Sequence, residues 1–162
     1  MPLKQLEMTT KEQQTKPYSK LQYISQGDTL EEQKQHIQTV LDAGADWIQI
    51  RWKQAKGNEF LAFGEWVKAR CESYQAICIV NDHVDTAKRI NADGVHLGLT
   101  DMSVSDARSI LGDGKIIGGT ANTAADMVQR VHEGCNYIGL GPFRYTKTKQ
   151  KLSPILGLEG FG

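Results

Sequence analysis

From residue 17 onward, short apolar runs alternate along the chain with longer stretches of mixed polarity. The apolar runs are rich in β-branched residues, and glycine or polar residues flank them, so each run predicts a β-strand. The six predicted strands are Lys20–Gln26, Trp47–Arg51, Ile77–Asn81, Gly94–Gly98, Lys115–Gly119 and Tyr137–Gly141.

Helical patterns fill the intervals between these runs. Thr29 and Glu32 have the spacing of a capping box, and the segments that begin at Ser103 and Thr123 also start with helix-capping residues. The predicted helices run from Thr29 towards Ala43, from Asn58 to Ser73, from Val84 to Ile90, from Ser103 to Leu111 and from Thr123 to Glu133. Apolar strands that alternate with helices predict a parallel sheet buried on both faces. Such a sheet can close into a (β/α)8 barrel or remain open and doubly wound.

Composition narrows the class of protein. The 162 residues fit a single domain, with residues 1–16 predicted as a flexible polar arm and residues 17–162 as the domain. The 19 basic and 19 acidic side chains balance, which argues against a general nucleic-acid or membrane-surface binder. The polar start lacks the apolar core of a secretory signal, so we expect a cytoplasmic protein. Three widely spaced cysteines, Cys71, Cys78 and Cys135, are predicted to be small core residues.

Polar side chains follow five successive predicted strands. Because parallel strands bring their carboxyl ends to one edge, these side chains are expected to meet there, where barrel enzymes carry their active sites. Two carboxylates, several basic groups and hydroxyls together suggest a diphosphate site bridged by Mg²⁺. Taken singly, the basic residues would be solvated strand ends and the aspartates helix caps. The residues are Gln49, Arg51, Lys53, Asn81, Asp82, Asp101, Thr120, Thr146, Lys147, Thr148 and Lys149.

His96 has a different interpretation. It alternates with apolar neighbours inside a predicted strand, so we expect a hydrogen-bonded core histidine rather than a metal ligand. The sequence contains no nucleophile paired with a base, no Walker loop and no dinucleotide-binding G-x-G-x-x-G.

Five segments, taken in order, resemble the thiamine phosphate synthase family over residues 21–161. The resemblance implies a transferase with a parallel (β/α)8 TIM-type barrel, of which about six units are present here. Such an enzyme joins hydroxymethylpyrimidine diphosphate to thiazole phosphate and releases pyrophosphate, with Mg²⁺ as cofactor. The segments are Q-I-R-W-K (49–53), N-D-H-V-D (81–85), A-D-G-V-H-L-G-L-T-D (92–101), K-I-I-G-G-T (115–120) and Y-I-G-L-G-P-F-R-Y-T-K-T-K (137–149).

The resemblance also implies a role for each candidate residue, with no protein nucleophile among them. The pyrimidine diphosphate ligands would be Gln49, Arg51, Lys53, Asn81, Thr120 and Lys149. The thiazole phosphate ligands would be Thr146 and Thr148, and the magnesium ligands Asp82 and Asp101. The chain departs from the family pattern with Trp52 for a glutamate, Leu99 for a glutamine and Asn122 for a histidine. Full-length relatives continue into a seventh and an eighth strand, so we expect a truncated barrel.

Two alternatives stay open. A thiazole tautomerase of the same fold would not need the diphosphate and magnesium residues, whose presence disfavours it. A non-catalytic remnant that binds a phosphorylated ligand would keep the fold without the reaction. Under each reading the partners are small phosphorylated molecules, with no nucleic acid and no membrane, and association into a homo-oligomer remains an alternative.

Overall fold

The structure, a computed structural model, describes residues 19–145 and 154–161. Six parallel strands form one sheet in chain order: β1 (Tyr23–Ile24), β2 (Trp47–Ile50), β3 (Ile77–Asn81), β4 (Gly94–Leu97), β5 (Ile116–Ala121) and β6 (Tyr137–Leu140). The helices between them are α1 (Leu30–Asp42), α2 (Glu59–Ser73), α3 (Val84–Arg89), α4 (Val104–Leu111) and α5 (Ala124–His132). A 3₁₀ turn, Glu159–Phe161, lies near the end of the chain.

The strand order decides between the two predicted architectures. Each strand pairs with the strand that precedes it in the chain, without the reversal of order that defines a doubly wound sheet. The sheet therefore curls as in a TIM barrel. A contact across the interior shows the curl, because Gln22 Nε2, just before β1, donates to the hydroxyl of Tyr137 on β6 at 3.2 Å. The predicted fold class is confirmed.

Helix starts agree with the sequence prediction because their signals are local. Thr29 and Thr123 form complete capping boxes with Glu32 and Asp126, and the Ser103 hydroxyl accepts from the Asp106 amide. The strand β3 has the predicted bounds, and β2, β4 and β6 each end one residue earlier than predicted. None of the helices among the described residues is long and apolar enough to cross a bilayer.

The structure corrects the predicted bounds of two strands. The first strand contains only Tyr23–Ile24 of the seven residues predicted, since it pairs on one side with β2 at two positions. The fifth strand extends to Ala121, because its end pairs with Leu140 of β6. Thr120 therefore lies inside β5 rather than after it, which fixes the direction of its side chain.

Alternation along the strands separates two cores. Outward-facing residues such as Ile48, Val80 and Ile117 pack against the helices, together with the fully buried Cys71 and Cys78. Inward-facing residues form a smaller interior cluster of Trp47, Ile77, Ile79 and Ile116, with Tyr137 packed against it. Further towards the carboxyl end of these strands, the inward positions of β2, β3, β4 and β5 carry polar side chains, so the interior passes from an apolar layer to a polar layer of Gln49, Asn81, His96 and Thr120.

Candidate active site

The polar layer begins with two side chains on adjacent strands. Gln49 is 2 % exposed, and its Nε2 donates to Asn81 Oδ1 at 2.8 Å. Gln49 Oε1 is also buried and accepts no hydrogen bond from the described residues. An unsatisfied buried acceptor costs about 1–3 kcal/mol. At the carboxyl end of the sheet, this acceptor could take a hydrogen bond from a donor on a ligand.

His96 and Thr120 continue this layer on β4 and β5. The two ring nitrogens of His96 lie 3.0 Å from the Tyr137 hydroxyl and 3.0 Å from Thr120 Oγ1. Gly118 makes room for this network, since a Cβ there would lie 2.1 Å from the Tyr137 ring. The prediction of a hydrogen-bonded histidine is confirmed. Its contact with Thr120 also places it beside a predicted ligand-binding hydroxyl, which the sequence did not indicate.

Asp82 and Asp101 lie beside each other at the end of β3 and in the loop after β4. The Asp82 backbone adopts φ +62°, and its amide donates to the His96 carbonyl at 2.9 Å. Asp101 Oδ2 accepts from the Gly98 amide at 2.6 Å. Burial raises the pKa of Asp82 to about 6, with a further contribution from a hydrogen bond and like charge on Asp101. Two adjacent carboxyl groups, one of them reluctant to ionise, form a site that favours a cation.

The positive charges near this pair come from the segment after β2. Lys53 and Arg51 both act to lower the pKa of Asp82, so their charges lie close enough to offset part of the effect of burial. Arg51 is held by its backbone amide, which donates to Ser25 Oγ at 2.9 Å. Its half-buried side chain and the exposed side chain of Lys53 follow Gln49 at alternate positions, as predicted.

Trp52, between these two cations, is turned into the outer core. It is 7 % exposed, its ring meets that of Phe63 edge-on at 5.6 Å, and its Nε1 donates to the Asp28 carbonyl at 3.3 Å. This departure from the family pattern thus changes packing outside the polar layer. Leu99 is 43 % exposed, and Asn122 Nδ2 donates to the Gly141 carbonyl, which joins the ends of β5 and β6.

The predicted residues Thr146, Lys147, Thr148 and Lys149 lie outside the described residues, so the roles of Thr146, Thr148 and Lys149 stay predictions. Among residues 19–145 and 154–161, no group of three or more His, Cys, Asp or Glu side chains could hold a metal. The Asp82 and Asp101 carboxyls nevertheless fit Mg²⁺, because that ion takes one or two carboxylates and completes its coordination with phosphate oxygens and water.

One residue of structural importance was missed from the sequence. Arg130 on α5 is 3 % exposed, and its guanidinium donates to backbone carbonyls of Gly98 and Thr120. A basic residue near the end of a helix is an ordinary match to the helix dipole, so it gave no signal alone. The adjacent pair Gly118 and Gly119 was the available signal, because side chains absent from both faces of a strand leave space for other groups.

Comparison with known proteins places this geometry in a family. The family model described as thiamine monophosphate synthase matches residues 21–162. The chain belongs to that family. The thiamine-phosphate synthase of Flavobacterium psychrophilum is 58 % identical over 144 residues, which are 89 % of this chain and 70 % of the relative. That of Flavobacterium johnsoniae is also 58 % identical, over 89 % of this chain and 68 % of the relative.

A solved structure has a similar fold. Thiamine phosphate pyrophosphorylase from Pyrococcus furiosus superposes with a TM-score of 0.74 at 29 % identity. The match covers 86 % of this chain and 66 % of that one, so the chain spans about two thirds of the length of these family members. The function predicted from the sequence, a thiamine phosphate synthase and hence a transferase, is confirmed at the level of the family.

Proposed function

We propose that this site condenses hydroxymethylpyrimidine diphosphate with thiazole phosphate, in the cytoplasm, and releases pyrophosphate. The observation that carries the proposal is the pair of adjacent carboxyl groups, Asp82 and Asp101, with the charges of Arg51 and Lys53 near Asp82, beside a polar interior layer. Carboxylates and cations in one place suit a ligand that brings both a metal ion and several negative oxygens. A phosphate-free or singly charged ligand would leave one of these two sets without a partner.

The pyrimidine ring would lie against the polar layer. The buried Gln49 Oε1 supplies an acceptor for a ring amino group, and Asn81 holds the Gln49 amide in place. The Thr120 hydroxyl, oriented by His96, would donate to a diphosphate oxygen. These contacts fix the substrate with its methylene group directed towards the carboxyl end of the sheet, where the second substrate can approach.

Release of pyrophosphate is the demanding step. The bond between the pyrimidine methylene and the diphosphate oxygen breaks, and negative charge grows on the leaving group. Arg51 and Lys53, with Lys149 as a predicted addition, would stabilise that charge by position and without rearrangement. Mg²⁺ held by Asp82 and Asp101 would supply further neutralisation of the diphosphate. The thiazole nitrogen then attacks the methylene carbon, so the protein needs no nucleophile of its own.

Magnesium-dependent pyrophosphate release tests the proposal. Incubation of the chain, extended by the last two strand-helix units of a full-length relative, with both substrates and Mg²⁺ is expected to yield thiamine monophosphate and pyrophosphate, and removal of Mg²⁺ with EDTA is expected to abolish both. A chain that binds the pyrimidine diphosphate without turnover would indicate the non-catalytic alternative. Isomerisation of a thiazole phosphate without any need for Mg²⁺ would instead indicate the tautomerase.

A further inference from the structure

Arg130 is a buried cation on the outer side of the curled sheet. It lies on α5 and is the one charged residue that is fully buried in the described part of the chain. Transfer of a charge out of water costs several kcal/mol unless partners compensate, and apolar replacements of buried ion pairs are often neutral or stabilising. Stability alone therefore explains the charge poorly, which directs attention to what the guanidinium holds.

The guanidinium joins the ends of two neighbouring strands. Its Nε donates to the Thr120 carbonyl at 3.0 Å, and its Nη2 donates to the Gly98 carbonyl at 2.9 Å. The third nitrogen, Nη1, donates to Glu133 Oε2 at 2.7 Å, which balances the charge. A planar, rigid group with fixed donor directions is suited to holding two carbonyl groups at a set separation.

Gly119 provides the space for this contact. A Cβ at position 119 would lie 2.7 Å from Arg130 Cδ and 2.9 Å from its Nε. Because neighbouring strand residues point to opposite faces, Gly119 faces α5 while Thr120 faces the interior. Arg130 therefore acts on the strand from the side opposite the candidate active site and does not reach a ligand there.

Both carbonyls belong to residues that also contact side chains of the candidate site. The Gly98 amide donates to Asp101 Oδ2 at 2.6 Å, so the residue whose carbonyl Arg130 holds also holds the Asp101 carboxylate. The backbone of Thr120 is held by Arg130, and its hydroxyl lies 3.0 Å from His96 Nε2. One side chain thus restrains a metal-ligand candidate and a substrate-ligand candidate at the same time.

We propose that Arg130 is a positioning residue, which sets the Asp101 carboxylate and the Thr120 hydroxyl for a metal-bound diphosphate by holding the carbonyls of Gly98 and Thr120. The inference rests on the proposed function of the site. It assigns to α5 a part in ligand binding although α5 itself lies outside the interior of the sheet.

The test compares three variants of the whole chain. Arg130→Met removes the hydrogen-bond donors of the guanidinium and keeps much of the side-chain volume. Arg130→Lys keeps the positive charge but loses the planar group with its fixed donor directions. Arg108→Met is the matched control, since Arg108 also donates to a backbone carbonyl, that of Gly112 at 3.2 Å, and to Asn136 Oδ1 at 2.9 Å, but at the amino end of β5. The readouts are amide hydrogen exchange at Gly98 without ligand, and calorimetric binding of inorganic pyrophosphate in the presence of Mg²⁺.

Arg130→Met is expected to speed exchange at Gly98 about tenfold or more, because local opening there no longer breaks a bond to the guanidinium. It is also expected to weaken binding of Mg²⁺ with pyrophosphate by about 10- to 100-fold, the usual effect of removing a group that orients a metal ligand. Arg130→Lys is expected to fall between Arg130→Met and the unchanged protein, and Arg108→Met to alter neither readout.

The possible outcomes of this test distinguish a failure of the Arg130 inference from a failure of the proposed function. If the unchanged chain fails to bind Mg²⁺ with pyrophosphate, the proposed function is wrong, and exchange at Gly98 alone decides the role of Arg130. Unchanged exchange and binding in Arg130→Met would overturn the inference, as would equal effects in Arg108→Met. Should Arg130→Met not fold, Arg130→Lys and Glu133→Gln replace it, and unaltered Gly98 exchange and pyrophosphate binding in both would refute the positioning role.

Discussion

Replacement of Asp82 by asparagine is expected to stabilise the ligand-free protein while it destroys the cation site. Burial and the adjacent Asp101 raise the pKa of Asp82 from 3.8 to about 6, against the opposing effect of Lys53 and Arg51. The folded protein therefore resists ionisation of this carboxyl more than the unfolded chain does. Asparagine has the same shape, needs no ionisation and tolerates the φ of +62° at this position.

The size of the stability gain in Asp82→Asn follows from the raised pKa of Asp82. One pKa unit corresponds to about 1.4 kcal/mol, so a shift of roughly two units sets an upper bound near 3 kcal/mol. Because the side chain is only half-buried and solvent screens its interactions, about 1 kcal/mol is the expected gain for Asp82→Asn at pH 7.5. In a chain of this length, that gain raises Tm by about 2–4 °C.

The contribution of Asp82 to the free energy of unfolding depends on pH. Between pH 3.8 and about 6 the folded protein binds more protons at Asp82 than the unfolded chain, so the free energy of unfolding falls as pH rises through this window. Below pH 3.8 the carboxyl is protonated in both states and costs nothing. The gain from Asp82→Asn is thus expected at pH 7.5 and absent at pH 3.5.

Urea denaturation of the EDTA-treated protein at both pH values measures the effect. Asp46→Asn serves as the control, because Asp46 is an exposed carboxylate just before β2, at the opposite end of the sheet. A loss of stability in Asp82→Asn at pH 7.5, or an equal gain at both pH values, would refute the reasoning. In the same preparations, Mg²⁺ with pyrophosphate is expected to raise the Tm of the unchanged protein and not that of Asp82→Asn.

Three further changes test other parts of the structure. Arg51→Ala is expected to weaken binding of the pyrimidine diphosphate and to slow the chemical step, since part of its effect arises only as charge grows on the leaving group; single-turnover kinetics separate the two. Gly118→Ala is expected to cost about 1–3 kcal/mol in a urea titration, because its Cβ would overlap the Tyr137 ring. Gly141→Ala is the control, because a Cβ at position 141 would meet only Phe143 N, at 3.7 Å. Thr29→Ala is expected to cost about 1 kcal/mol by thermal melting, since it removes the hydroxyl of a capping box, and no change would contradict that role.

The helices could be predicted from the sequence more closely than β1 and β5. A capping hydroxyl and the amide that it satisfies lie three residues apart, so the signal at Thr29 or Thr123 is complete within a few positions. The length of a strand depends on its neighbours instead. Tyr23–Ile24 is short because pairing with β2 covers only those residues, and β5 is longer than predicted because β6 pairs with its end.

The candidate active site shows the same difference between residues with a local sequence signal and residues whose role depends on other strands. Gln49, Arg51 and Lys53 could be assigned to one face because alternation is a property of one strand. Arg130 could not, since its role depends on carbonyls of β4 and β5 that no local pattern specifies. The proximity of Asp82 to Asp101 followed from the rule that parallel strands end at one edge, but the left-handed backbone at Asp82 did not.

The apolar layer below the polar residues links the stability of this protein to its proposed activity. Trp47, Ile77, Ile79 and Ile116 exclude water from the interior beneath Gln49 and Asn81. Lower polarisability there strengthens every interaction with a charged ligand and equally raises the cost of an unpaired polar group. Burial raises both the cost of the unsatisfied Gln49 Oε1 and the pKa of Asp82. Changes that relieve either should therefore stabilise the ligand-free chain and weaken diphosphate binding together, because the ligand supplies the partners that the protein lacks.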